Sequence, residues 1–237
     1  MSTTPDYQKA RGKPAAAALL LADGRFPAGG HAHSGGVEVA VARGRVGDLD
    51  SLVDFLWGRL ATAGVVDAAL AAATCARARN FPVPWAELVA EGEARQPSPA
   101  LRATARAQGR ALLRVGRAAW PGPILDGLVR AVPEGAPHSV VLGGCAGAAG
   151  LGPAAAAALA AHHAVTGPAN AAVRLLGLDP LAVATALADL TGALDTVAGG
   201  AAAAAHGPLS DLPCPSAPLL ELGAEDHAGW EVRLFAS

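Results

Sequence analysis

The chain has 237 residues, of which 60 are alanine, 29 glycine and 18 proline, and only nine side chains are aromatic. Ile and Tyr occur once each, which argues against a large sheet; alanine, which loses no side-chain entropy in a helix, points to helices around a core of small side chains. The net charge of −2 gives a general nucleic-acid role no support, but residues 1–130 carry +5 and residues 131–237 carry −7, a polarity suited to docking on other proteins.

Residues 1–14 are polar and read as a disordered tail. A short apolar helix follows over 15–22. Lys9, Arg11 and Lys13 before it imitate a signal peptide, but the run is too short and Asp23 and Arg25 follow at once. The stretch 23–36 is too rich in Gly and Pro for one regular element. Asp48 and Asp50 are candidate N-caps of a helix that buries Leu52, Val53, Leu56 and Leu60 at helical spacing. Gly64 allows a break before an alanine-rich helix over 65–79, which Phe81-Pro-Val-Pro84 ends. Ser98-Pro99 opens a helix that runs to about Trp120 and stops at Pro121-Gly-Pro123. Further helices are expected over 124–131, 137–150, 153–165, 168–178 and 180–198, most of them opened by proline. Residues 140–161 carry no charge, but Pro153 interrupts them, and two close-packed buried helices account for them better than a membrane span. Residues 200–218 read as a linker and 219–237 as a C-terminal partner-binding tail. The expected fold is all-α, a single-domain bundle of about ten short antiparallel helices over 15–199.

The densest cluster of unusual residues is 23–38. It is neither a phosphate loop, since no Gly-Lys-Ser/Thr follows, nor a dinucleotide fingerprint, since no strand precedes it. His31 and His33 share one side only if the backbone between them is extended; in that case a metal site with Glu38 as third ligand is one reading, and hydrogen bonding within a glycine-permitted turn is the other. His162 and His163 are helix neighbours about 100° apart and read as core or interface groups. Arg102, Arg106, Arg110 and Arg114 form one stripe with Arg117 beside it, and no acidic residue falls between Ala94 and Leu125. The stripe is either a solvated face or a docking surface for an acidic partner. Cys75, Cys145 and Cys214 are too scattered for a disulfide framework or a zinc cluster, and a reducing cytoplasm is the default. No complete catalytic constellation is found.

Residues 19–38, with Pro-Ala-Gly-Gly, Ser34 and Gly-Val-Glu38, resemble the N-terminal signature of the urease accessory protein family UreF. Arg106-Ala-Gln-Gly-Arg110, the His138-Ser-Val-Val-Leu-Gly-Gly helix, Asn170-Ala-Ala-Val-Arg174, and His227 with the ending Arg233-Leu-Phe-Ala-Ser237 resemble later segments of the same family, in order. The resemblance implies a non-catalytic, dimeric, cytoplasmic chaperone without a cofactor. It would bind UreD (also called UreH) and recruit the GTPase UreG for nickel insertion into apo-urease. By the same resemblance, Arg233, Leu234, Phe235 and Ser237 belong to the UreD contact. Gly29, Gly30, His33, Ser34, Glu38, Arg106, Arg110 and His227 complete the expected partner-binding set.

Overall fold

The computed structural model describes residues 14–235. These form twelve α-helices and no β-strand: α1 (Pro14–Ala22), α2 (Val37–Ala42), α3 (Leu49–Arg59), α4 (Val65–Arg77), α5 (Trp85–Ala94), α6 (Pro99–Ala119), α7 (Pro123–Ala131), α8 (His138–Ala148), α9 (Pro153–Leu176), α10 (Pro180–Asp189), α11 (Thr191–Ala204) and α12 (Pro218–Ala228). The all-α expectation holds. The expected tail over 1–14 lies outside the described residues except for Pro14, which opens α1.

Local chemistry sets the helix starts. The Asp48 side chain accepts from Ser51 N at 2.9 Å while Ser51 Oγ accepts from Asp48 N, a reciprocal cap on α3. Asp50 falls inside the first turn and does not cap. Ser98 Oγ accepts from Leu101 N ahead of Pro99, and Asp179 accepts from Leu181 N ahead of Pro180.

Helix α4 is the central element, packed against α8, α9 and α11, with α8 lying between α4 and α6. Two hydrophobic clusters result. One joins α4, α5, α7 and α8 through Leu70, Leu88, Leu125, Leu128 and Leu142. The other joins α2, α3 and α9 through Val37, Leu52, Leu56 and Val165, and includes Phe235 from the C-terminus. Helix α9 runs through both, supplying Ala156, Ala157 and Ala160 to the first and Ala161, Val165 and Ala169 to the second.

The small-residue core acts by letting backbones approach. A Cβ on Gly143 of α8 would lie 2.4 Å from the Ala71 carbonyl oxygen of α4, and one on Gly109 of α6 would lie 2.0 Å from that of Ala136. Cys145, buried against Gly116 of α6, has its thiol pushed up to about 12 by desolvation, which leaves it a small packing group.

Four sequence expectations are corrected. Gly64 does not break the chain. Helix α3 passes through a π-helical turn, Leu60–Gly64, into α4, so the five-residue hydrogen-bond spacing absorbs what would have been a break. The resulting rod, Leu49–Arg77, is long and apolar enough to cross a membrane by length and composition, and its apolar side is taken up by α8, α9 and α11.

Nor does Pro168 separate two helices, because α9 is continuous through it. Proline has no N–H for the carbonyl of residue 164, and Arg59 Nε donates to that Ala164 oxygen instead, at 2.9 Å.

Helices α2 and α5 were not expected. Helix α5 follows Pro84 directly and buries Trp85 and Leu88 against α7 and α8.

Residues 200–218 do not behave as a loose linker. Helix α11 extends to Ala204, Leu209 and Leu212 are buried, and two arginines gather the carbonyls beyond. Arg77 donates to Ala205 O and Gly207 O, and Arg95 to Leu209 O, Leu212 O and Pro213 O.

Gly143→Ala is expected to destabilise the protein by about 1–3 kcal/mol, because the new methyl meets a backbone carbonyl that has no rotamer to give. Thermal melting followed by circular dichroism should show a drop of about 2–12 °C. An unchanged melting temperature would mean that α4 and α8 can separate freely.

Candidate functional site

Gly35 and Gly36 have φ of 59° and 92°, values that favour glycine, and together they turn the chain into α2. The turn is also crowded: a Cβ on Gly35 would lie 2.9 Å from Pro168 Cγ and 3.2 Å from Arg59 Cζ, and one on Gly36 would lie 3.0 Å from Leu220. This sends Glu38 inward, where it is 6% exposed. Its carboxylate collects three donors from the other end of the chain: His227 Nε2 at 2.9 Å, Leu234 N at 2.8 Å and Phe235 N at 3.1 Å. The Phe235 ring then packs under the Arg174 guanidinium, 4.4 Å from its centroid, while Arg174 also donates to His31 O. Two surface contacts add to the closure, Arg43 with Asp226 and Ser98 with Glu225.

These positions sort the expected partner-binding residues. Ser34, Glu38, His227 and Phe235 are buried, so they shape the surface and do not themselves offer it. Gly30, Arg110, Arg233 and Leu234 are exposed, Gly29 and His33 are half-buried, and Ser237 lies outside the described residues. The arginine stripe is not left unpaired. Arg106 pairs with Glu93 of α5 and Arg117 with Asp126 of α7, Arg102 donates to Gln96 O and Pro97 O, and Arg110 donates to Glu134 O. The missing acids lie on neighbouring helices, beyond the window that sequence spacing inspects.

Beneath the 23–36 loop is a cavity of about 610 Å³, lined by α1, the loop and α9, with His31, His33, His138, His162 and His163 on its walls. The His138 and His163 rings are 5.8 Å apart, and His163 Nε2 donates to Leu21 O at 3.0 Å. Burial, assisted by His163 and His33, pushes His138 down to about 3; burial, assisted by His162, pushes His163 down to about 4. His33 is lowered by burial and then by His31. The His33, His138 and His163 imidazoles are therefore neutral near pH 7. Asp67 and Arg59 share this wall. Burial raises the Asp67 carboxyl against the pull of Arg59 and the Ser139 hydroxyl.

The metal reading of His31, His33 and Glu38 is not assembled, because Glu38 is committed to His227 and the C-terminal amides. Among the described residues no group of three or more His, Cys, Asp or Glu side chains is arranged to hold a metal ion. Sequence reasoning missed both the Glu38–His227 pairing, 189 residues apart, and the convergence of His138 with His163. No spacing rule reports either.

Fold and site together define an all-helical bundle whose N-terminal turn binds residues near its C-terminus beside a partly open, histidine-lined cavity. A family model described as UreF matches residues 46–191. Across 92% of this chain and 97% of each relative, the chain is 45% identical to the urease accessory protein UreF of Mycolicibacterium vanbaalenii, 46% to that of Mycobacterium sp. strain JLS and 43% to that of Mycobacterium marinum. The chain belongs to the UreF family.

Two expectations follow. Glu38→Gln replaces an acceptor with a group that is half donor, at a cost of about 1–3 kcal/mol. Trypsin should then cut after Arg233 faster than in the unaltered chain, with helix content unchanged; equal cleavage rates would show that Glu38 does not hold the tail. Acid should also destabilise the protein early. The unfolded chain binds protons near the ordinary histidine value of 6.5 while the folded chain resists until about 4. Stability should thus fall as pH drops through this window, by about 1.4 kcal/mol per pH unit for each buried imidazole. In urea titrations at stepped pH, His138→Phe should flatten that slope, and an unaltered slope would remove His138 as its source.

Proposed function

We propose that this chain is a non-catalytic urease-maturation chaperone. It binds UreD (UreH) and recruits the GTPase UreG, and the assembly inserts nickel into apo-urease with GTP hydrolysis. It acts in the cytoplasm as a homodimer. The observation that carries this reading is the match to proteins named urease accessory protein UreF over 92% of the chain.

The C-terminal region supports a docking role. Leu219 and Leu222 of α12, and Val232 and Leu234 beyond it, are 62–82% exposed, although most large apolar residues of the chain are buried. Phe235 anchors the segment that presents Val232 and Leu234. In this reading Leu234 and Arg233 contact UreD directly. Glu38, His227, Ser34 and the Gly29–Gly30 turn hold the docking surface in shape, and Arg106 and Arg110 contribute from α6.

The test is co-purification of the full chain with its cognate UreD and UreG. Leu222→Asp and Leu234→Asp together should weaken UreD capture by about tenfold or more, since charges are introduced into an apolar contact, while the melting temperature stays within a degree or two of the parent. Capture of neither partner by the unaltered chain would overturn the assignment, and undiminished capture by the double variant would move the contact away from the tail.

A further inference from the structure

The large cavity shares a wall with a smaller one of about 90 Å³, and six residues line both: His33, Gly35, Arg59, Asp67, Gln108 and His138. Arg59 is the unusual member. A guanidinium stays charged at any working pH, and this one is half-buried on the cavity wall, where desolvation lowers its proton affinity against the field of Asp67. Its Nε is used on Ala164 O. Its two terminal nitrogens have no hydrogen-bond acceptor among the described residues, and no carboxylate lies within ion-pair distance. A half-buried guanidinium with both terminal nitrogens turned to a cavity wall is placed to donate to whatever supplies acceptors there.

The neighbouring groups have the same vacancy in hydrogen bonding. His138 lines both cavities, is neutral, and makes no hydrogen bond among the described residues, so either ring nitrogen is able to present its N–H. The Gln108 carboxamide faces the same space with no internal partner. Asp67 stands on the opposite side of the charge balance, able to accept from a hydroxyl.

The geometry points to a binding site for a small hydrogen-bearing oxyanion, of the hydrogencarbonate or hydrogenphosphate type, on the wall formed by Arg59, His138, Gln108 and Asp67. The anion's oxygens accept from the Arg59 fork, from the His138 N–H and from the Gln108 amide, and its own hydroxyl donates to Asp67. Charge-assisted, two-pronged recognition of an oxyanion is what a guanidinium does best. A divalent cation fits the wall poorly: it would face the Arg59 charge, and no set of three ligating side chains is in place. The site requires nothing of the maturation role proposed above and stands or falls separately from it.

The full chain is titrated at pH 7 and fixed ionic strength with sodium hydrogencarbonate, sodium phosphate, sodium formate, sodium chloride or nickel(II) chloride, following heat and backbone amide shifts. Saturable one-to-one binding is expected for hydrogencarbonate or phosphate, and whichever binds identifies the source. The amide shifts should centre on Gly35, Gln108 and Ser139. Formate fits Arg59 but brings no hydroxyl to Asp67, and should bind about tenfold more weakly; chloride should not bind. Arg59→Gln should lower affinity by at least about tenfold. Because Arg59 also holds the α9 carbonyl, that variant risks misfolding. Gln108→Leu, which leaves the arginine in place, should weaken binding about threefold. The proposal is overturned by any one of four results: no saturation by either oxyanion up to about 50 mM, shifts centred elsewhere, formate binding as tightly as the hydroxylated anions, or nickel binding in their stead.

Discussion

Arg59 is where the parts of this structure meet. It ends α3 at the start of the π turn, its Nε completes the α9 backbone where Pro168 leaves a carbonyl without a donor, and its guanidinium packs under the Gly35 turn. The long α3–α4 rod, the longest helix and the N-terminal loop are thus registered on one side chain. Lysine could not do this, because it has no second prong to face the cavity once its ammonium is bound to Ala164. The same economy recurs at Arg77 and Arg95, whose forks close off the segment after α11. Sixteen arginines against two lysines are uninformative as composition, but several of them carry the tertiary structure.

The second organising contact is the Glu38 carboxylate. It joins α2 to α12 and to the last described residues, so the two ends of the chain form one surface. A partner that grips the C-terminus therefore also touches the Gly-rich turn through its supports. This gives Gly36 and Glu38 of the UreF-like signature a physical reading: the glycine serves the turn and the closeness of Leu220, and the glutamate accepts from three donors. The motif around Arg106–Arg110 has a parallel reading. Gly109 makes room for the Ala136 carbonyl, while Arg106 reaches Glu93 on the preceding helix.

A core of alanine and glycine leaves little apolar area per residue, so close backbone contact must supply what large side chains otherwise would. That makes the body stiff along α4, α8 and α9. It leaves the cavity under the 23–36 loop as a place where helices do not close up, with several imidazoles and the half-buried Arg59 around it. The exposed leucines of α12 and the tail lie outside this body, where a partner is able to reach them.

Much of the fold was legible in the sequence. Alanine content and the near absence of Ile and Tyr determined an all-helical chain, and capping chemistry at Asp48 and Ser98 located two helix starts, because both depend only on residues within one turn of each other. Tertiary structure decided the rest. Pro168 carries the local instruction to stop a helix, and an arginine more than a hundred residues earlier overrides it. The linker-like composition of 200–218 is held in place by Arg77 and Arg95, and Arg106 and Arg117 find their acids on α5 and α7. Glu38, read as a possible metal ligand beside His31 and His33, instead binds the C-terminus, because the direction a buried side chain takes is set by the packing of distant helices and not by its neighbours in the chain.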